Sequence, residues 1–148
     1  HNDSSCVLHI QGPYGSLLLP GDIEHGAEAL LVENQAAALR ADVLVAPHHG
    51  SQTSSSADFL ARVQPRIVLF PVGYRNRYHH PHPAVRQRYA RLSAQLYDSP
   101  GHGAVEIHFG PAGRVVSTYR QDHRRYWFND GVDSGFMPGR GSDRLGAL

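Results

Sequence analysis

Lysine is missing altogether; all 14 basic residues are arginine. Base-composition bias in the source genome would produce this. So would a use for guanidinium groups, which grip phosphate bidentately where lysine acts as a point charge. Against 13 acidic residues the formal net charge is only +1, so no global basic field marks the chain as a nucleic-acid binder. The single cysteine, Cys6, excludes a disulfide within the chain and leaves the redox compartment open. It lies in an apolar, alternating stretch and is expected to be a small core residue. No stretch approaches the roughly 20 consecutive apolar residues of a membrane span. No charged start leads into an apolar run, as a signal peptide would. The chain opens on histidine, as expected of a processed or excised piece.

What is present is enough for a globular fold. The 148 residues are 41% apolar, room for one domain around one core. Eleven histidines, several of them clustered, are the unusual count.

"SCVLHI" and "SLLLP" read as a hairpin around the turn "QGPYG". "GDIEHGAEALLVENQAAAL" continues in good helix formers. "DVLVA" and "RIVLFPV" are fully apolar, the pattern of strands buried on both faces. "ADFLARVQ" is a short helix between them, with Ser54–Ser56 available as caps. After the loop "GYRNRYHHPHP", Pro83 suits the first turn of a helix "AVRQRYARLSAQLY", expected over residues 84–97. "GAVEIHF" and "RVVSTY" form a last hairpin around "GPAG". The order ββ-α-β-α-β-α-ββ is α/β, a mixed sheet flanked by helices. The domain is expected over residues 1–128, with "RRYW" packing on it. A loose Gly-, Arg- and Asp-rich tail is expected over 129–148.

Ligands collect at the carboxyl ends of the strands in such sheets, and three strand ends here carry suitable groups. After "SLLLP" comes Asp22; after "DVLVAP" come His48 and His49; after "RIVLFPVG" come Asn76, His79, His80 and His82. If these strands are neighbours, the loops converge on one rim. Carboxylate with imidazole suits Zn²⁺ or Mn²⁺. Each piece also has a plainer reading. Asp22 can cap the helix, His48-His49 can be a turn, and "HHPHP" can be a surface turn held by prolines. Ser51, Thr53, Ser54, Ser55 and Ser56 can hold a phosphate with hydroxyls and helix N–H groups, or merely cap. Tyr74, Arg75, Arg77 and Tyr78 alternate aromatic and cation, which suits single-stranded DNA as well as an ordinary exposed loop. His9, His25, His102, His108 and His123 lack such placement and read as structural or exposed.

The ordered set "NDSSCVLHI", "LLLPGDIEHGAEALL", "ADVLVAPHHGSQTSSSADFL", "PRIVLFPVGYRNRYHHPHPAV" and "GAVEIHF" resembles the C-terminal half of the metallo-β-lactamase-like domain of ComEC-type competence proteins. The resemblance runs from about Asn2 to Tyr119. It implies half of an αββα sandwich and a metal-assisted hydrolysis of DNA phosphodiesters on the strand that is not taken up. It implies one or two ions of Zn or Mn in the intact domain, with Asp22 and His49 as ligands. His48, His80 and His82 are implied catalytic residues. Ser51, Thr53, Ser54, Arg75, Asn76, Arg77 and Tyr78 are expected to contact DNA or phosphate. Asn2 and Asp3 stand where the superfamily keeps another ligand, usually histidine. The HxHxDH motif of the superfamily is absent from this sequence.

On that pattern the isolated chain is expected to be inactive, because two ligands rarely hold zinc without a third or fourth. Its expected partners are DNA, the upstream half of the same domain, and a polytopic membrane channel. An exposed apolar sheet also allows self-association. The resemblance implies an inner-membrane-attached protein with this domain on the external side. Two other readings stand beside it: a non-catalytic DNA-guiding or assembly module, and a free-standing small metallo-hydrolase of a phosphoester, lactone or thioester.

Overall fold

A computed structural model describes residues 2–123. His1, "RRYW" and the tail over 129–148 lie outside the described residues.

Strands β1 (Leu8–Gly12) and β2 (Gly15–Leu19) form the expected hairpin. Leu8 stands opposite Leu19, and Gly12 opposite Gly15. Helix α1 (His25–Gln35), β3 (Val43–Val45), α2 (Ala57–Val63), β4 (Ile67–Phe70) and α3 (Pro83–Ala90) follow. After them come β5 (Gln95–Asp98), α4 (Ser99–His102), β6 (Val105–Gly110), β7 (Gly113–Thr118) and α5 (Tyr119–Asp122). The main sheet has the order β1-β2-β3-β4-β5. Only β1 is antiparallel; β2 to β5 run parallel to one another. The chain is therefore mixed α/β, with a five-stranded mixed sheet and helices, and β6 and β7 pair as a separate hairpin.

The helix expected over 84–97 is a misreading. It stops at Ala90, and Ser93 turns through a positive φ of 54°. The next residues become β5, with Gln95 N–H donating to Arg66 O at 2.8 Å. "QLYD" is a short strand that directly follows helix formers. The parallel ladder that β4 offers outweighs the local helix propensity.

Leu18, Leu44, Val68 and Phe70 turn to one face of the sheet. There they meet Phe59, Leu60 and Val63 of α2 and Val85 and Tyr89 of α3. Leu31 and Val32 of α1 pack against the same cluster. The opposite face carries Leu8, Ile10, Leu17 and Leu19, brought together by the hairpin register. On it Leu8 is 53% and Ile10 47% exposed. Cys6 is exposed and keeps step with Leu8 and Ile10, so it is not the core residue expected. Alternation placed it in register but could not say which face the helices cover.

The second hairpin is anchored beneath the sheet. Arg114 pairs with Asp42 at 2.5 Å, and the same carboxylate accepts from Ser16 N–H and Oγ. The Phe109 ring fills the space over Gly15, where a β-carbon would come within 2.2 Å of it.

Candidate functional site

Because β2, β3 and β4 are adjacent and parallel, the loops leaving their carboxyl ends meet on one rim, as the sequence anticipated. Main-chain hydrogen bonds lace the loops together. His48 N–H donates to Gly21 O at 3.0 Å, and His82 N–H to Gly50 O at 2.9 Å. Gly50 itself has φ 82°, and a β-carbon there would meet Pro81 and Phe70. Only glycine allows the β3 and β4 loops to touch so closely.

The two histidines between these ties sit in an uncommon backbone. His48 has φ 46° and ψ 41°, and His49 has φ 56° and ψ 19°. Left-handed conformations cost non-glycine residues roughly 1–2 kcal/mol each. Two in succession are held by the surrounding bonds rather than by local preference.

The strained turn aims each imidazole at an acid. His49 Nε2 stands 3.5 Å from Asp22 Oδ1, both side chains about half exposed. The other ring nitrogen, Nδ1, lies 2.9 Å from Pro71 O. A carbonyl can only accept, so Nδ1 is the nitrogen that donates to Pro71 O, and Nε2 is the one left facing Asp22. His48 Nδ1 lies 3.2 Å from Glu24 Oε1. The contact is close, but its angle is poor, and the buried Nδ1 makes no aligned hydrogen bond. Glu24 also accepts from Asn2 Nδ2 at 3.1 Å and Thr53 Oγ1 at 3.0 Å. Those two hydrogen bonds, followed by the His48 field, hold its carboxyl below the usual range.

Asp22 is not the helix cap. Glu24 occupies the N-cap position of α1, and its N–H donates to Asp3 Oδ1 at 2.8 Å. Asn2 and Asp3 thus reach the site, where they brace Glu24.

The hydroxyl run is spent largely within its own loop. Ser51 Oγ meets Thr53 Oγ1 at 3.1 Å. Ser54 is fully buried and donates to Pro47 O at 2.8 Å. Ser56 caps α2 by accepting from Phe59 N–H. Beneath them Glu28, with no exposure, accepts from Ser55 N–H at 2.5 Å and Ser56 N–H at 2.7 Å. Ser55 Oγ meets Tyr89 OH at 2.9 Å, and burial pushes that phenol well above its ordinary value. Arg88 donates to Ser54 O and Ser55 O.

The loop after β4 is closed by Asn76, whose Oδ1 accepts from His80 N–H at 2.8 Å. Its Nδ2 donates to His80 O at 2.7 Å. His80 lies 6.0 Å from His48, ring to ring, and His48 lies 6.5 Å from His49. Burial, then the neighbouring His48, His49 and His82, holds the His80 imidazole below its ordinary pKa and so favours the neutral ring. His82 Nδ1 accepts from Ala84 N–H at 3.3 Å and caps α3. Arg75 and Arg77 lean over the rings of Tyr74 and Tyr78 at 5.3 and 4.7 Å.

Asp22, His48, His49 and His80 therefore gather on the rim, while Ser54 and His82 serve the frame. Sequence reasoning missed Glu24 and Glu28. Glu24 follows Asp22 by two residues in "GDIEHG", a spacing that returns both acids to one loop. Among the described residues, no group of three or more His, Cys, Asp or Glu donors is placed to hold a metal. The remaining histidines are structural or exposed: His25 Nε2 meets Ser54 O at 3.2 Å, and His102 is buried.

Fold and rim define an α/β domain with paired acids and imidazoles at the carboxyl edge of a parallel sheet. No family model matches the chain. It is 34% identical over 138 residues to the Uncharacterized protein YcaI of Escherichia coli (strain K12), covering 90% of this chain and 18% of that protein. It is 36% identical over 126 residues to Competence protein ComA of Neisseria gonorrhoeae, covering 85% and 18%. It is 34% identical over 118 residues to ComE operon protein 3 of Bacillus subtilis (strain 168), covering 80% and 15%. The chain thus spans less than a fifth of the length of each of these relatives. Over most of its own length it is a homologue of one segment of the ComEC-type competence proteins, as its motifs indicated.

Proposed function

We propose that this chain forms part of a metal-dependent phosphodiesterase acting in competence-related DNA uptake. The observation that carries the reading is the Asp22–His49 pair. A carboxylate oxygen and an imidazole nitrogen, both of metal-ligating type, face one another at 3.5 Å, with His49 Nδ1 engaged by a backbone carbonyl. Donors about 2.0–2.2 Å from one tetrahedral ion lie roughly 3.3–3.6 Å apart, so the pair fits two ligands of a single Zn²⁺ or Mn²⁺. A carbonyl on the remote nitrogen is the usual support of a metal-binding histidine. The remaining ligands would come from the longer chain that the relatives possess, in the half-sandwich arrangement the resemblance implies.

A divalent ion held there supplies Lewis acidity to a phosphodiester oxygen and a nucleophile at neutral pH. The chain's own groups do the rest. Asp22 and His49 fix the position, and His48, set against Glu24, faces the reacting phosphate. His80, whose burial and histidine neighbours favour the neutral ring, is suited to accept a proton. The exposed Leu8–Ile10 face would be covered by the upstream half of the domain or by a second copy. Among the described residues no helix is long and apolar enough to cross a membrane. Attachment to the inner membrane, external side outward, would come from elsewhere in the parent protein.

The test is a nuclease assay with Mn²⁺ or Zn²⁺ on an upstream-extended form of the chain, beside Asp22→Ala and His49→Ala. Metal-dependent cleavage lost in both variants is expected, with no cleavage from the 148 residues alone. The second reading, a non-catalytic DNA-guiding module, is favoured by Asn2 and Asp3 serving Glu24 where the superfamily places a ligand. DNA binding by the extended form without cleavage under any metal would establish it.

A further inference from the structure

We infer that the loop after β4 carries a base-stacking platform for single-stranded DNA, built on Tyr78 and leading into the acid–imidazole rim. The inference rests on the reading that the rim acts on a polynucleotide, and it names the form of strand taken. Tyr78 is 62% exposed, far more than a tyrosine placed for packing. Its ring stacks on His80 at 5.8 Å and 20° between planes. His80 in turn meets His48 at 6.0 Å. An exposed aromatic surface therefore lies two ring contacts from the proposed reacting centre.

The platform is held in place. Asn76 donates to His80 O and accepts from His80 N–H, closing the loop beneath Tyr78, so the backbone that carries the ring is set before any ligand arrives. Arg77 supplies the remaining element. Its guanidinium lies 4.7 Å over the Tyr78 ring and donates to the phenol oxygen at 2.5 Å. An exposed cation–π contact is weaker than the stacking of a nucleobase on an aromatic ring. An incoming base would therefore displace Arg77 from Tyr78, and the released guanidinium would be free to grip the adjoining phosphate. Duplex DNA offers no such exchange, because its bases are already stacked on each other.

The test is fluorescence anisotropy of the full chain with a labelled short oligothymidylate, in EDTA so that no cleavage is required. An abasic strand of equal length, which keeps the phosphates, and a duplex are run beside it. The oligothymidylate is expected to bind more tightly than either. Tyr78→Ala should weaken its binding roughly 5- to 100-fold, to the level of the abasic strand, with Tyr78→Phe close to wild type. No measurable binding of the oligothymidylate, an abasic strand or duplex that binds as tightly, or Tyr78→Ala within roughly twofold of wild type would overturn the inference. Because metal is excluded, a failure here is separate from a failure of the Asp22 and His49 cleavage assay.

Discussion

Replacing His48 and His49 by glycine should leave a more stable chain than replacing them by alanine. Both substitutions remove the imidazoles and their contacts with Glu24 and Asp22, so those losses cancel in the comparison. What differs is the β-carbon in a backbone with φ of 46° and 56°. Its strain costs roughly 1–2 kcal/mol per position. Against that, glycine gives the unfolded chain more freedom, worth about 0.5–1 kcal/mol per position in favour of alanine. The balance favours glycine by roughly 0–1.5 kcal/mol at each position, and by about 1.5 kcal/mol at mid-range for the double variant. At this chain length that is a difference of about 2–8 °C in Tm. The assay is urea unfolding of the single and double variants followed by far-UV circular dichroism. An internal control is Glu33 in α1, where helical backbone makes the glycine variant the less stable, by about 1 kcal/mol. Alanine variants as stable as their glycine counterparts at both histidines would refute the argument that the turn is strained.

Two further outcomes follow from groups outside the rim. Glu28→Ala should cost about 3 kcal/mol or more in urea unfolding, since it strands the Ser55 and Ser56 N–H groups that the carboxylate accepts. Glu28→Gln keeps one acceptor oxygen but turns an NH₂ toward the other N–H, so it should recover only part of that loss; a glutamine variant as stable as wild type would refute the two-acceptor role. Asp98 provides the pH-dependent case. Burial alone would raise its carboxyl, but hydrogen bonds from His102 and Gly101 N–H outweigh it and hold the carboxyl below its ordinary value. A depressed acid stabilises the fold above its unfolded pKa of about 3.9 and loses that contribution as pH falls through the folded value. Asp98→Asn should therefore flatten the acid limb of a stability profile below pH 4 or so, and an unchanged limb would refute the assignment.

The α/β order, both hairpins and the convergence of three loops were legible because each rests on local signals. These are apolar runs for buried strands, Gly-Pro and Pro-Ala-Gly turns, and polar residues at strand ends. What escaped was decided by partners distant in sequence. β5 was concealed because "QLYD" follows good helix formers, and only the free edge of β4 recruits it. The exposure of Cys6 depended on which face the helices cover. Glu24 and Glu28 read as ordinary helix acids, and their roles appear only when the Ser-rich loop, some 27 residues later, folds back over α1. The rim histidines were found by type and position. The strained backbone that aims them leaves no mark in the sequence beyond the glycine that follows.

The lacing of the three loops bears on how this rim could change over time. Its cross-ties use His48 N–H, Gly21 O, His82 N–H and Gly50 O, main-chain atoms that every residue except proline retains. Asp22, Glu24, His48 and His49 can therefore be exchanged one at a time while the scaffold keeps its shape. A library free at Asp22 and Glu24 and limited to Gly, Asn, Asp and His at positions 48 and 49, where φ is 46° and 56°, should yield mostly folded members, each presenting a different chemistry at the same edge.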